Sequence, residues 1–126
     1  MSYYGSAAEE DKCLEGYLRE IARTPLLTRE QEQELGRMIL RGDQTARDKL
    51  VQANLRFVVS VAKGYARKTG APIMEIINQG NLGLIEAAKR FDAERGRKFI
   101  TYAVWWIRHA ILKGMAEQSG AMRLPL

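Results

Sequence analysis

Between Arg97 and Lys113 the chain sets three large rings, Tyr102, Trp105 and Trp106, among the cations Arg97, Lys98, Arg108 and Lys113, with Thr101 and His109 in the same stretch. Rings interleaved with cations suit an unpaired nucleic-acid strand, because bases stack on the rings while Lys and Arg neutralise phosphates. Each stacked base contributes about 1–3 kcal/mol, close to the cost of unstacking one base pair, so such a surface can hold a duplex open without nucleotide hydrolysis. The same residue types also serve a second purpose, packing under neighbouring helices or against a partner protein. Bond-making chemistry is poorly supplied. There is no nucleophile–base–acid set and no phosphate-cradling glycine loop, and His109 has no evident acidic orienter, so an enzyme is not expected. One cysteine, Cys13, and one histidine exclude a Cys/His metal cluster and an internal disulfide; carboxylate-only metal sites stay open, and no cofactor is expected.

A helix must position these side chains. Advancing about 100° per residue from Lys98, the residues Phe99, Ile100, Ala103, Val104, Ile107, Ala110, Ile111 and Gly114 fall within about 80° of one direction and form a core-facing side. Lys98, Thr101, Tyr102, Trp105, Trp106, Arg108, His109, Leu112 and Lys113 occupy the opposite side, which ought to meet water. Exposed rings of that kind mark a binding surface.

The rest of the chain is punctuated in the same helical way. A first helix is predicted over Glu9–Ala22, with Leu14, Tyr17, Leu18 and Ile21 at helical spacing and Pro25 barring its continuation. Thr28 and Gln31 have capping-box spacing ahead of a second, whose stripe is Leu35, Met38 and Ile39 and which Gly42 closes. Asp43 caps a long third helix running through Leu50, Leu55, Val58, Val59 and Ala62 to about Lys68, with Gly70 as its stop. Pro72 suits the first turn of a fourth, which ends near Phe91 and has candidate kinks at Gly80 and Gly83. The fifth runs from about Lys98 to Glu117, before Gly120 and Pro125 end regular structure. The expected fold is an all-α, compact bundle of about five helices. A tail over residues 1–10, a short helical segment over 11–42 and a main domain over 43–126 are expected.

At 126 residues the chain can bury a real core, and 46% hydrophobic with 28% charged residues suits a globular protein. No apolar run approaches the roughly 18 residues of a membrane span, and Met1–Glu10 lacks the basic and apolar parts of a signal peptide, so a cytoplasmic location and no membrane partner are expected. The net charge of +5 is local: seven basic residues against two acids lie between Lys89 and Lys113, and the remaining 13 of each sign cancel. A polyanion-binding surface leaves such a footprint, as does a solvated helix face.

The stretch FDAERGRKFITYAVWWIRHAILK, Phe91 to Lys113, closely resembles the promoter-melting segment of the housekeeping-type sigma factor family of bacterial RNA polymerase. Glu15–Leu35, Ala53–Ala66 and Ile76–Asp92 agree with the same family in order and spacing. The resemblance implies a sigma factor that binds core RNA polymerase and recognises and melts the minus-ten promoter element by capturing flipped bases of the non-template single strand. It assigns Tyr102 to stacking on the flipped adenine, which an enzyme or binding protein can reach only outside the base stack. Trp105 and Trp106 would form a wedge at the upstream edge of the bubble, Thr101 and Lys98 would support the same strand, and Asn54 would contact a downstream base. Arg97, Arg108, His109, Leu112 and Lys113 complete the implied DNA-binding set. Met74, Glu75, Asn78, Gln79, Asn81 and Ile85 match the surface that docks on the coiled coil of the polymerase β′ subunit. Four positions depart from the family: it commonly has an acid at Gln79, an aromatic at Arg97, and Gln and Thr at His109 and Leu112, two positions associated with the upstream base pair. The chain stops at Leu126 where family members continue into further domains, so a fragment, acting as a monomer, is expected. The alternative from another class is a helical protein-interaction adaptor using the aromatic face of the last helix; the clustered charge argues against it, since buried interface cores are depleted in Lys.

Overall fold

The structure, a computed structural model, describes residues 7–118. Six α-helices follow one another among them: α1 (Ala7–Ile21), α2 (Arg29–Leu40), α3 (Gln44–Ala53), α4 (Leu55–Thr69), α5 (Ile73–Arg90) and α6 (Phe99–Gln118), with one 3₁₀ turn at Ala93–Arg95. The all-α bundle is as expected. The stop expected at Gly120 and Pro125, and most of the N-terminal tail, lie outside the described residues.

Local chemistry sets the helix ends. Thr28 accepts from the Gln31 backbone N–H, and the Gln31 side chain accepts from the Thr28 N–H, completing the capping box that opens α2. Asp43 caps α3 by accepting from the Ala46 N–H. Gly70, at φ 72°, ends α4 in the left-handed region, where a side chain would be strained.

The predicted third helix is in fact two. Asn54 donates its side-chain N–H to the Leu50 carbonyl at 2.8 Å, the acceptor its own backbone N–H would use in a continuous helix. That backbone N–H turns to Val51 at 3.0 Å instead, and Asn54, at φ −115° and ψ 8°, becomes the junction between α3 and α4. No glycine or proline marks this break.

Leu50, Val58, Ile76, Ile77, Leu84, Phe99, Ile107 and Ile111 are fully buried and form the centre of the core, so α3 to α6 wrap one cluster. α5 and α6 share the most extensive interface. α5 runs unbroken through Gly80 and Gly83, which let it approach its neighbours. A Cβ on Gly80 would lie 2.7 Å from a Val58 methyl, and one on Gly83 would collide with the backbone of Trp106. α2 joins the bundle mainly along α3 and also at the 3₁₀ turn, where Gly36 packs directly on Ala93. Ile100, expected in the core, is 40% exposed, because it lies at the rim where α6 emerges from the bundle. Among the described residues no helix is long and apolar enough to cross a membrane.

Candidate nucleic-acid interface

The basic, aromatic side of α6 is flanked by α5 on one edge and α4 on the other, and it is not uniform. Trp105 is 57% exposed and meets Trp106 edge-on at 5.1 Å between ring centres. His109, one turn further on, stacks flat on Trp105 at 4.8 Å and 9°. Trp106 is half-buried beneath the Arg90 guanidinium, 5.1 Å from its ring centre. Tyr102 is also half-buried, 6.3 Å from Phe91 and 6.4 Å from Trp106, and it packs on the core. The helical wheel placed all three rings in water. Only Trp105 is there, because Phe91 and Arg90, brought in by the end of α5, cover the flanks of the other two.

Beside Tyr102 a cleft of about 450 Å³ opens, lined by Leu40, Arg90, Phe91, Asp92, Arg95, Arg97 and Tyr102. Its wall is ring and aliphatic carbon, and its rim carries three guanidinium groups and one carboxylate. Asp92 lies 3.7 Å from Arg95 and accepts from the Glu94 N–H, so it is held, while Arg97 forms no ion pair among the described residues. Such a cleft can hold a planar heterocycle against Tyr102 and Phe91 and neutralise an attached phosphate. Of its seven lining residues only Tyr102 and Arg97 were expected as site residues. Leu40 arrives from α2, more than 50 positions away in the chain, and no local pattern announces it.

A second groove holds Lys98, Ile100 and Asn54 together with Leu26, Leu27, Thr28, Arg29, Glu32 and Ala53. Asn54 and Lys98, expected as partners on one strand, do share this groove, although Asn54 is itself buried and committed to the Leu50 carbonyl. The loop between the two depressions is fixed from a distance: Arg29 of α2 donates to the Gly96 carbonyl at 3.1 Å. Thr101, Leu112 and Lys113 are exposed on α6, with Lys113 sharing a shallow α5–α6 groove with Trp106, His109, Gln79 and Glu86. Arg108 faces the other way, towards α4.

The six α5 residues do not form one surface. Asn78 and Ile85 are exposed, and Met74 and Glu75 are half-buried. Gln79 is turned inward, its side chain filling the space over Gly114 of α6. Asn81 donates to the Tyr17 hydroxyl of α1 at 3.1 Å. Leu82, which the sequence did not single out, is 61% exposed on the same side as Asn78 and Ile85. An apolar side chain at helical spacing with Asn78 and Ile85, on the side away from the core residues Ile76, Ile77 and Leu84, was the available signal.

The family described as Sigma-70 region 2 matches residues 50–120, and Sigma-70 factor, region 1.2, matches residues 14–45. The chain is 49% identical over 110 residues to the RNA polymerase sigma factor SigA of Clostridium acetobutylicum and 47% identical over 110 residues to that of a Bacillus species. In both cases 87% of this chain is covered, and the chain spans 29% of the relative's length.

Proposed function

This chain belongs to the sigma-70 family, and from that premise we propose that it binds core RNA polymerase in the cytoplasm and recognises and melts the minus-ten promoter element by holding flipped bases of the non-template strand. The observation that carries this is the cleft beside Tyr102, an aromatic-walled depression rimmed by Arg90, Arg95 and Arg97, with Tyr102 leading through Trp106 to the exposed Trp105. A flipped adenine stacks on Tyr102 inside the cleft, Arg97 neutralises an adjoining phosphate, and Asp92 is positioned to accept from an exocyclic amine. Arg97 thus supplies a charge where the family commonly offers a ring. Trp105 and Trp106 end the opened segment, with Trp105 stacked on the last intact pair. Lys98, Thr101 and Asn54 follow the strand towards the second groove, while Arg108, His109, Leu112 and Lys113 meet the duplex on the other side.

Polymerase docking falls to the outer side of α5, through Met74, Glu75, Asn78 and Ile85, with Leu82 added as its apolar centre, while Asn81 holds α1 in place through the Tyr17 hydroxyl. Gln79 contributes indirectly, since it wedges against Gly114 and fixes α5 on α6.

The deciding experiment is a gel shift with single-stranded minus-ten DNA, its complement and the duplex, each with and without core polymerase. Preference for the non-template strand, strengthened by core, is expected. Equal affinity for both strands would remove the flipped-base assignment. Unchanged core binding in the Asn78→Ala, Leu82→Ala double variant would remove the docking assignment.

A further inference from the structure

Trp105 and His109 are both exposed, yet their rings lie flat together, 4.8 Å between centres and 9° from parallel. Trp106 meets Trp105 at 85°, so His109 is the one ring laid flat on it among the described residues. Side chains four apart on a helix stand one above the other, and His109 is the later of the two. The face of Trp105 that it takes is therefore the one turned towards Leu112 and Lys113. Trp105 remains 57% exposed, more than the rim of a ring covered on both faces would show, so its other face is open. Nothing besides the stack holds the imidazole, which forms no hydrogen bond or ion pair among the described residues.

Resting on the function proposed above, we propose that His109 is a positioning residue that acts through Trp105: its imidazole occupies the place of the last intact base pair and must swing aside before that pair can stack. The direction of the covered face carries this, because Leu112 and Lys113 lie on the side where, on that function, the strands are still paired. An imidazole is a flat heterocycle with a π face, as a base is, and covers an indole in the same way. Two flat rings cannot share one face. The stack gained with the base pair is thus offset by the stack given up with His109, and an aromatic pair is worth about two- to tenfold in an equilibrium. The shallow groove between α5 and α6 that His109 already lines receives the displaced ring, with Glu86 and Glu117 in its walls to accept from an imidazole N–H. His109 thereby sets how readily Trp105 engages the junction between paired and opened DNA, without itself reading a base.

The test is filter binding of the 126-residue chain, at one salt concentration, to the single-stranded minus-ten segment and to a fork carrying the same segment with paired DNA upstream. His109→Ala is expected to tighten fork binding about two- to tenfold, a gain from deleting a side chain at the interface. His109→Phe keeps a ring over Trp105 and should stay at or below wild type. Neither should change single-strand binding, which uses the cleft at Tyr102. In a Trp105→Ala background His109→Ala should do nothing, since the effect passes through the indole. Without DNA, acrylamide should quench tryptophan emission more strongly in His109→Ala than in wild type or His109→Phe. Weaker fork binding by His109→Ala would mean that the imidazole itself grips DNA and overturn the proposal. So would unchanged quenching, which would mean that the stack is absent in solution, or a gain by His109→Phe equal to that of alanine. If Trp105→Ala alone leaves fork binding intact, the wedge reading fails and takes this proposal with it; if it weakens fork binding while His109→Ala brings no gain, the wedge stands and only the role of His109 falls.

Discussion

Replacing Gly83 and Gly64 by alanine makes the same chemical change in two helices, and the structure requires opposite outcomes. An alanine Cβ at position 83 would lie 2.8 Å from the Trp106 carbonyl carbon and 2.9 Å from the Ala110 Cβ, and closer still to the Trp106 oxygen. Carbon atoms pack at about 3.5–4.0 Å, so α6 must withdraw by roughly 1 Å, and because the obstacle is backbone no rotamer change can absorb it. Overpacking costs about 1–3 kcal/mol, and an obstacle of backbone that cannot turn aside puts this case in the upper half of that range, at about 2–3 kcal/mol. Against it stands the gain of removing glycine from a helix interior, about 1 kcal/mol. The net expectation for Gly83→Ala is a loss of about 1–2 kcal/mol, near 4–8 °C in Tm for a chain of this size. Gly64→Ala meets nothing within 4 Å, keeps only the propensity term, and should gain about 0.5–1 kcal/mol. Urea unfolding followed by far-ultraviolet circular dichroism measures both. If Gly83→Ala is as stable as wild type, or if the two variants shift in the same direction by similar amounts, glycine is not what sets the α5–α6 approach.

Tyr102→Ala should cost about 1–3 kcal/mol for the non-template single strand, and also destabilise the fold, since the ring is half-buried against Phe91; Tyr102→Phe should retain most of both, and parallel losses in the two variants would place the interaction on the hydroxyl. Thr28→Ala removes the oxygen of the α2 capping box and should lower stability by about 1 kcal/mol in thermal unfolding, with a null result meaning that α2 is held by tertiary contacts alone. His109→Gln combined with Leu112→Thr, assembled with core polymerase and scored on all four base pairs at the upstream end of the minus-ten element, should alter preference there by about 1–3 kcal/mol, because one imidazole cannot form the paired contact a glutamine makes with adenine. Identical preference profiles would take both residues out of base recognition.

Much of the fold is legible because its helix ends are local events. The Thr28–Gln31 box, Asp43 and Gly70 each act within a few residues and stand where the pattern puts them, and Pro72, expected in the first turn of its helix, stands one residue before it. The break at Asn54 is not legible in that way: an asparagine is compatible with a helix until its side chain takes the Leu50 carbonyl. For the candidate site, the sequence identifies the ring-and-cation side of α6 but not its relief. Tyr102 and Trp106 are half-buried because Phe91 and Arg90 stand beside them, and Leu40 completes the cleft from α2, all through contacts a single-helix projection cannot contain. Gly80 and Gly83 read as kinks only while the neighbouring helix is unknown.

Both tryptophans of the chain, Trp105 and Trp106, stand on this one side of α6. The protein's ultraviolet emission therefore originates almost wholly at the surface proposed to meet DNA. A base stacking on Trp105 alters that emission directly, so a titration or a stopped-flow trace with unlabelled protein and unlabelled oligonucleotide follows occupation of the site itself. The same placement makes emission blind to α1 to α3. Departure of α6 from α5 would register in full while an opening of the N-terminal helices passed unseen, and any difference between an emission curve and a dichroism curve would measure how independently the two ends of the molecule come apart.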